Sequence, residues 1–227
     1  MLPRLLTNLV LIVIACLLGV RAFESLNFLR PAMTPADLGE PLGAATMAKL
    51  ASVRDDPKWC RAVLGFDKVA FTPVADRVTG PRCGWQGAVR LTGAGLTPRG
   101  PMMTCPLAVA LTVWERDVVR PAARARLKTS LTGLDHYGTY NCRSIAGTDR
   151  SSQHATANAI DIAGFRLARG PTVTVARDWR GDGPRAAFLR SVHEGACRVF
   201  GTTLGPDYNA AHHDHLHLDM AGWSFCR

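Results

Sequence analysis

No run of lysine and arginine marks this sequence. Its 27 basic residues are scattered and overwhelmingly arginine, which speaks against a nucleic-acid-binding arm, where clustered charge neutralises successive phosphates. No pair of cysteines has the Cys-x-x-Cys spacing of a zinc knuckle, so a metal site has to draw on other ligands. No internal repeat recurs, which sets aside solenoids and propellers. Charged residues are 20% and hydrophobic residues 47% of the 227-residue chain. That balance excludes bulk disorder and lets one domain bury a core without help.

What is present begins with export. Leu5 to Val20 is apolar apart from Thr7 and Asn8, with Arg4 before it and Arg21 after it. A basic flank followed by an apolar stretch reads as a secretory signal or signal anchor. The stretch is slightly short against the roughly 17–25 residues of a spanning helix, but it reaches Phe23 if Arg21 snorkels to the interface. Val13-Ile14-Ala15-Cys16 loosely matches a bacterial lipoprotein box; Leu17-Leu18 carries the apolar run past that cysteine, which favours an uncleaved anchor over residues 1–23. Residues 24–56 read as a linker and 57–227 as one domain. Six cysteines remain beyond Cys16: Cys60, Cys83, Cys105, Cys142, Cys197 and Cys226. An even number in an exported chain reads as up to three disulfides, with fifteen possible pairings. The net charge of +9 suits a polyanionic surface such as a cell wall, and the scattered arrangement disfavours nucleic acid.

The hydrophobic pattern predicts a mixed α+β domain. Ala45 to Val53 reads as a short helix and Val69 to Leu91 as short strands broken by proline and glycine. Leu107, Leu111, Trp114 and Val118 recur at helical spacing, so Cys105 to Val119 reads as a helix stopped by Arg120-Pro121. Leu131 to Tyr137, Asn158 to Phe165 and Thr172 to Val175 read as strands. Pro184 opens a second helix to about Phe200, and His215 to Met220 alternates as a strand does.

Of the seven histidines, four fall in His212-His213-Asp214-His215-Leu216-His217. Neutral imidazole is a good transition-metal ligand and moves protons near pH 7. Residues i and i+2 of a strand share a face, so His215 and His217 project together. His154 and Asp161, seven apart upstream, supply the rest of a site. Two His and one Asp make three ligands and leave a fourth zinc position open, the pattern of a catalytic rather than a structural site. His136 and His193 stand alone in the sequence and carry no assigned role; His213 is expected to be exposed.

Ser-x-His-(x)6-Asp followed by His-x-His resembles the motif of the LAS zinc peptidases, a superfamily that includes D-alanyl-D-alanine carboxypeptidases, the penicillin-insensitive murein endopeptidase and the hedgehog signalling domain. More closely, residues 57–227 are similar to the bacterial extensin-like C-terminal family. The matching segments include Thr104-Cys105-Pro106-Leu107-Ala108, Tyr140-Asn141-Cys142-Arg143, Ser152 through Phe165, Leu204 through Asn209, and His212 through Asp219. The resemblance implies a small antiparallel sheet flanked by helices, with zinc on His154, Asp161 and His217. It gives His215 a role beside the metal, Arg143 the developing oxyanion, and Ser152 a place near substrate. Carboxypeptidases of the superfamily carry a glutamate where Asp214 stands, whereas His212 reproduces the His-x-x-His-x-His of the murein endopeptidase. The general base therefore stays open among Asp214, His212 and His215. Family members usually have glycine at the position of Ala157. The expected activity is zinc-dependent cleavage of peptidoglycan peptides at the periplasmic face of the inner membrane, with no nucleic-acid partner. The alternative is a zinc-containing wall- or protein-binding module of hedgehog type with an idle site. The bond cleaved and the oligomeric state are not set by the sequence.

Overall fold

The computed structural model describes residues 12–19, 41–43, 46–93, 95–222 and 224–227. Residues 12–19 are helical, and the rest of the expected anchor lies outside the described residues. Among those described, no helix is long and apolar enough to cross a membrane.

Two helices come first, α1 (Thr46–Ser52) and α2 (Pro57–Phe66). Asp56 caps α2, accepting at Oδ1 from the amides of Lys58 and Trp59 at 3.0 and 2.9 Å, and Pro57 takes the first helical position, where a missing N–H costs nothing. Leu50 and Val53 are fully buried, so the folded part begins upstream of residue 57, inside the stretch expected to be linker. Six short strands follow: β1 (Phe71–Pro73), β2 (Arg77–Gly80), β3 (Cys83–Trp85), β4 (Ala88–Leu91), β5 (Leu96–Thr97) and β6 (Met102–Thr104). β1, β4 and β6 form one antiparallel sheet, and β2 and β3 form a separate hairpin.

The central helix α3 (Cys105–Trp114) does not stop at Pro121. It passes through a π turn at Glu115–Val119 into α4 (Arg120–Leu127). In that turn the Arg120 amide reaches back five residues to the Glu115 carbonyl. The widened turn falls just where Pro121 lacks an N–H, so the break expected at proline becomes a change of hydrogen-bond register.

The remaining elements are β7 (Leu131–Gly138), β8 (Ala159–Leu167), β9 (Val173–Thr174), α5 (Val175–Asp178), α6 (Pro184–Ala196), β10 (Thr202–Leu204), β11 (Leu216–Asp219) and β12 (Phe225–Cys226). The strand expected at Thr172 to Val175 is two residues long, because Val175 starts α5 with Asp178 Oδ2 accepting from the Thr174 amide at 2.9 Å. The large sheet runs β12-β10-β11-β8-β7-β5, with β9 on β8. Its centre is antiparallel; the end pairs β5–β7 and β10–β12 are parallel. The chain is therefore α+β. Trp114, Phe165, Phe188 and Phe200 are buried side by side at the middle of the core. The Trp114 indole donates to the Val192 carbonyl at 2.9 Å, which satisfies its one polar atom and ties α3 to α6.

Three disulfides close the fold: Cys60–Cys105, Cys83–Cys142 and Cys197–Cys226. The first joins α2 to the start of α3 across 45 residues. A loop of that size contributes about 4 kcal/mol through the unfolded chain. Cys60→Ala with Cys105→Ala is therefore expected to lower unfolding free energy by about 2–5 kcal/mol, read in urea as a lower midpoint with a steeper slope, because the unfolded chain without the cross-link exposes more surface.

Candidate metal centre

Register builds the site. In the β8–β11 pair, Asp161 stands directly opposite His217, and facing residues of an antiparallel pair share one side of the sheet. His154 arrives on a 3₁₀ turn, Gln153–Thr156, immediately before β8. Ser152 starts that turn: its Oγ accepts from the His154 amide at 3.3 Å. Ala157 ends it in the left-handed region, at φ 55°. That conformation favours glycine. Ala157 is fully buried and holds it nonetheless.

Three ligand-type atoms converge. His154 Nε2 lies 3.1 Å from Asp161 Oδ1 and 3.2 Å from His217 Nδ1, and His217 Nδ1 lies 3.0 Å from Asp161 Oδ1. The opposite ring nitrogens explain the orientation. His154 Nδ1 donates to the Thr139 carbonyl at 3.2 Å, and His217 Nε2 donates to Asp219 Oδ2 at 3.1 Å. Both imidazoles thus have an outward acceptor for their proton and turn a lone pair inward, toward a carboxylate oxygen. Three inward lone pairs at this spacing repel one another unless a proton or a cation sits among them. A tetrahedral ion with bonds of about 2.0 Å has ligand–ligand edges of about 3.3 Å, close to the triangle found here. The donor set of two imidazoles and one carboxylate suits zinc. His154 and His217 are 2% and 8% exposed, so the fit is built into the domain.

Electrostatics agree with that geometry. Burial alone would raise the Asp161 carboxyl, but its hydrogen bonds to His154 and His217, with their charge, hold it well below the usual carboxylate range. Burial likewise opposes charge on His217; hydrogen bonds from its ring to Asp161 and Asp219, with both carboxylate charges, outweigh it and push the imidazole up to about 9. The pocket thus favours net positive charge at the point where the three atoms meet.

The other predicted residues surround the triangle. His215 sits just before β11 rather than inside it, with Nε2 3.5 Å from Asp161 Oδ1. Its Nδ1 donates to Asp214 Oδ1 at 2.9 Å. Asp214 therefore fixes the tautomer of His215, and it also holds the hydroxyl of Tyr137, whose ring meets His215 edge-on at 5.8 Å. His212 lies on the far side, its ring centre 5.2 Å from that of His215 and 5.9 Å from that of His217. His212 Nδ1 donates to Asn209 Oδ1 at 2.7 Å, which leaves Nε2 as a base. Burial, then repulsion from His215 and His217, with a further push from Arg143, takes the His212 pKa down to about 4 against the pull of Asp161. Arg143 is exposed, and its charge is felt at the cluster through His212. Ser152 is buried and committed to capping. His213 is exposed, and His136 and His193 each donate the Nε2 proton to a backbone carbonyl, of Pro98 and of Arg227.

Sequence reasoning passed over Thr139, Asp219, Tyr137 and Asn209. Asp219 carried a readable signal, since it lies two residues past His217 on the same strand and so on the same face. The Thr139 contact is a backbone carbonyl and leaves no trace in side-chain identity. A second His/Cys group, His193, Cys197 and Cys226, also comes together, but its two sulfurs are joined to each other. Removing the charge of Asp219 with Asp219→Asn is expected to weaken zinc binding about 10–100-fold, the usual scale for a ligand's hydrogen-bond partner, as read by competition with a chromogenic chelator.

The buried His154–Asp161–His217 triangle, set where β8, β11 and the preceding turn meet, is a group of side chains that could hold a metal ion. A family model described as "Extensin-like protein C-terminus" matches residues 58–227, and the chain belongs to that family. Searches of curated proteins and of solved structures return no match.

Proposed function

We propose that the protein is a zinc-dependent peptidase, related to the LAS enzymes, that cleaves peptide cross-links or stem peptides of peptidoglycan. The observation that carries the reading is the inward convergence of His154 Nε2, Asp161 Oδ1 and His217 Nδ1 at 3.0–3.2 Å, flanked by two further histidines. Zinc held by these residues would supply an acidified water and a polarised substrate carbonyl. The chain's own residues supply the proton handling and the charge. His212, depressed to about 4, is neutral at pH 7 and can take up a proton at Nε2. His215, with its Nδ1 proton fixed on Asp214, presents an unprotonated Nε2 to the same space, and the proton that either histidine accepts from water is the one it returns to the leaving amine. Arg143 contributes positive charge at the exposed side, where a developing oxyanion would sit. In this reading Asp214 acts through His215 as a positioning residue.

Three disulfides support an oxidising compartment, and the basic, apolar start of the sequence supports export to the periplasmic face of the inner membrane. The test is incubation of the full-length protein with peptidoglycan, with and without chelator, followed by mass analysis of the fragments. Chelator-sensitive release of cleaved peptides, abolished by His217→Ala, is the expected result, and the fragment masses name the bond. Intact peptides beside a folded, zinc-loaded protein would overturn the reading in favour of a binding module.

A further inference from the structure

A cleft of about 480 Å³ opens beside the turn that carries His154, and none of the metal-site side chains lines it. Its walls include Thr156 and Asn158, which follow His154 in the chain, and the β2–β3 hairpin. Cys83 of that hairpin is bonded to Cys142, next to Arg143, and Trp85 meets Tyr140 edge-on at 5.0 Å. The cleft and the histidine cluster therefore rest on one loop, residues 139–152.

The lining is one-sided in charge. Arg54, Arg77 and Arg82 face the cleft, and among the described residues no aspartate or glutamate does. Among the described residues the side chains of Arg54 and Arg77 have no hydrogen-bond or ion-pair partner. Arg82 gives one Nη1 donor to the Asp149 carbonyl and keeps the rest of its fork. The lining also includes Val78, Trp85 and three prolines, an apolar surface that aligns a ligand while the charges hold it. Three guanidinium groups with no carboxylate beside them repel one another, and the free forks of Arg54 and Arg77 match a carboxylate by paired hydrogen bonds.

We infer that this cleft binds the free carboxylates of an acidic peptide and so sets substrate choice at a distance from the metal. The inference rests on the peptidase reading for what happens to the amide, but its binding readout does not. The probe is a synthetic pentapeptide with two glutamate side chains, compared with the same peptide carrying glutamine. Calorimetry with the full-length protein, in chelator, is expected to give at least about tenfold tighter binding of the glutamate peptide, the scale of one charge-assisted pair. Arg54→Ala with Arg77→Ala, both exposed and unbonded, is expected to erase that preference without changing the melting temperature. Equal binding of the two peptides, or a preference that survives the double substitution, overturns the inference. So does binding of a phosphate-bearing oligonucleotide with no measurable binding of the glutamate peptide. A glutamate preference without any cleavage leaves the cleft assigned and removes the peptidase; metal-dependent cleavage that treats both peptides alike removes the cleft and leaves the peptidase.

Discussion

On the proposed peptidase reading, Asp161→Asn is expected to lower wall-peptide hydrolysis by about a thousandfold or more while leaving the fold intact. A bound metal stabilises hydrolytic transition states by several kcal/mol, and about 4 kcal/mol corresponds to a thousandfold in rate. Asp161 brings the only formal negative charge to the triangle and lies 3.1 and 3.0 Å from its two imidazole partners. Asparagine has the same shape, so the β8–β11 register that places residue 161 opposite His217 has no reason to shift. Its amide N–H can donate to a lone pair of His154 or His217, satisfying the inward nitrogens by hydrogen bonding and removing their need for a cation. The variant should therefore stay folded, melt somewhat below the metal-free parent near neutral pH because the Asp161 contribution is lost, and hold little zinc. Hydrolysis rate, zinc content by atomic absorption and the melting curve decide it together. Retention of both zinc and rate in the asparagine variant would sink the ligand assignment.

The ligand set was legible because each piece sits in a short sequence pattern. His154 and Asp161 bracket a turn and the start of a strand, and His217 lies in an alternating run where period two sets its face. What joins the pieces was not legible: the opposition of Asp161 and His217 depends on pairing strands 56 residues apart, and nothing local encodes register between distant strands. The continuation of α3 through Pro121 was missed because a proline in a helical pattern reads as a stop, whereas the π turn before it absorbs the missing donor. Disulfide pairing was open for the same reason as register, since Cys83 meets Cys142 only after the hairpin and the loop have folded together. The arginine-lined cleft gathers Arg54 from one segment and Arg77 and Arg82 from the β2–β3 hairpin, and scattered arginines in a sequence rich in them carry no signal of their own.

Zinc affinity is expected to rise about tenfold per pH unit up to about pH 9, while the metal-free protein loses stability over the upper part of the same range. Burial disfavours a charged His217, yet Asp161 and Asp219 outweigh it and raise its pKa to about 9. A raised folded pKa stabilises the metal-free fold fully below the unfolded value of about 6.5, and that contribution disappears as pH climbs through about 9. Asp161 has the opposite sign: its pKa is depressed by the histidines against the effect of burial, so its contribution is present above about pH 4 and is lost on further acidification. The two contributions are complete together between about pH 4 and 6.5. Zinc reverses the trend at His217, because it needs the Nδ1 lone pair that the proton occupies, and each unit below about 9 costs a factor of about ten in apparent affinity. At free zinc a thousand times the dissociation constant the gain is about 4 kcal/mol, or roughly 8–16 °C in melting temperature for a domain of this size. Melting curves from pH 5 to 9.5, in chelator and in excess zinc, should therefore diverge as pH rises. Parallel curves would mean that zinc and the proton do not compete for His217, and the triangle would then be a hydrogen-bonded cluster rather than a metal centre.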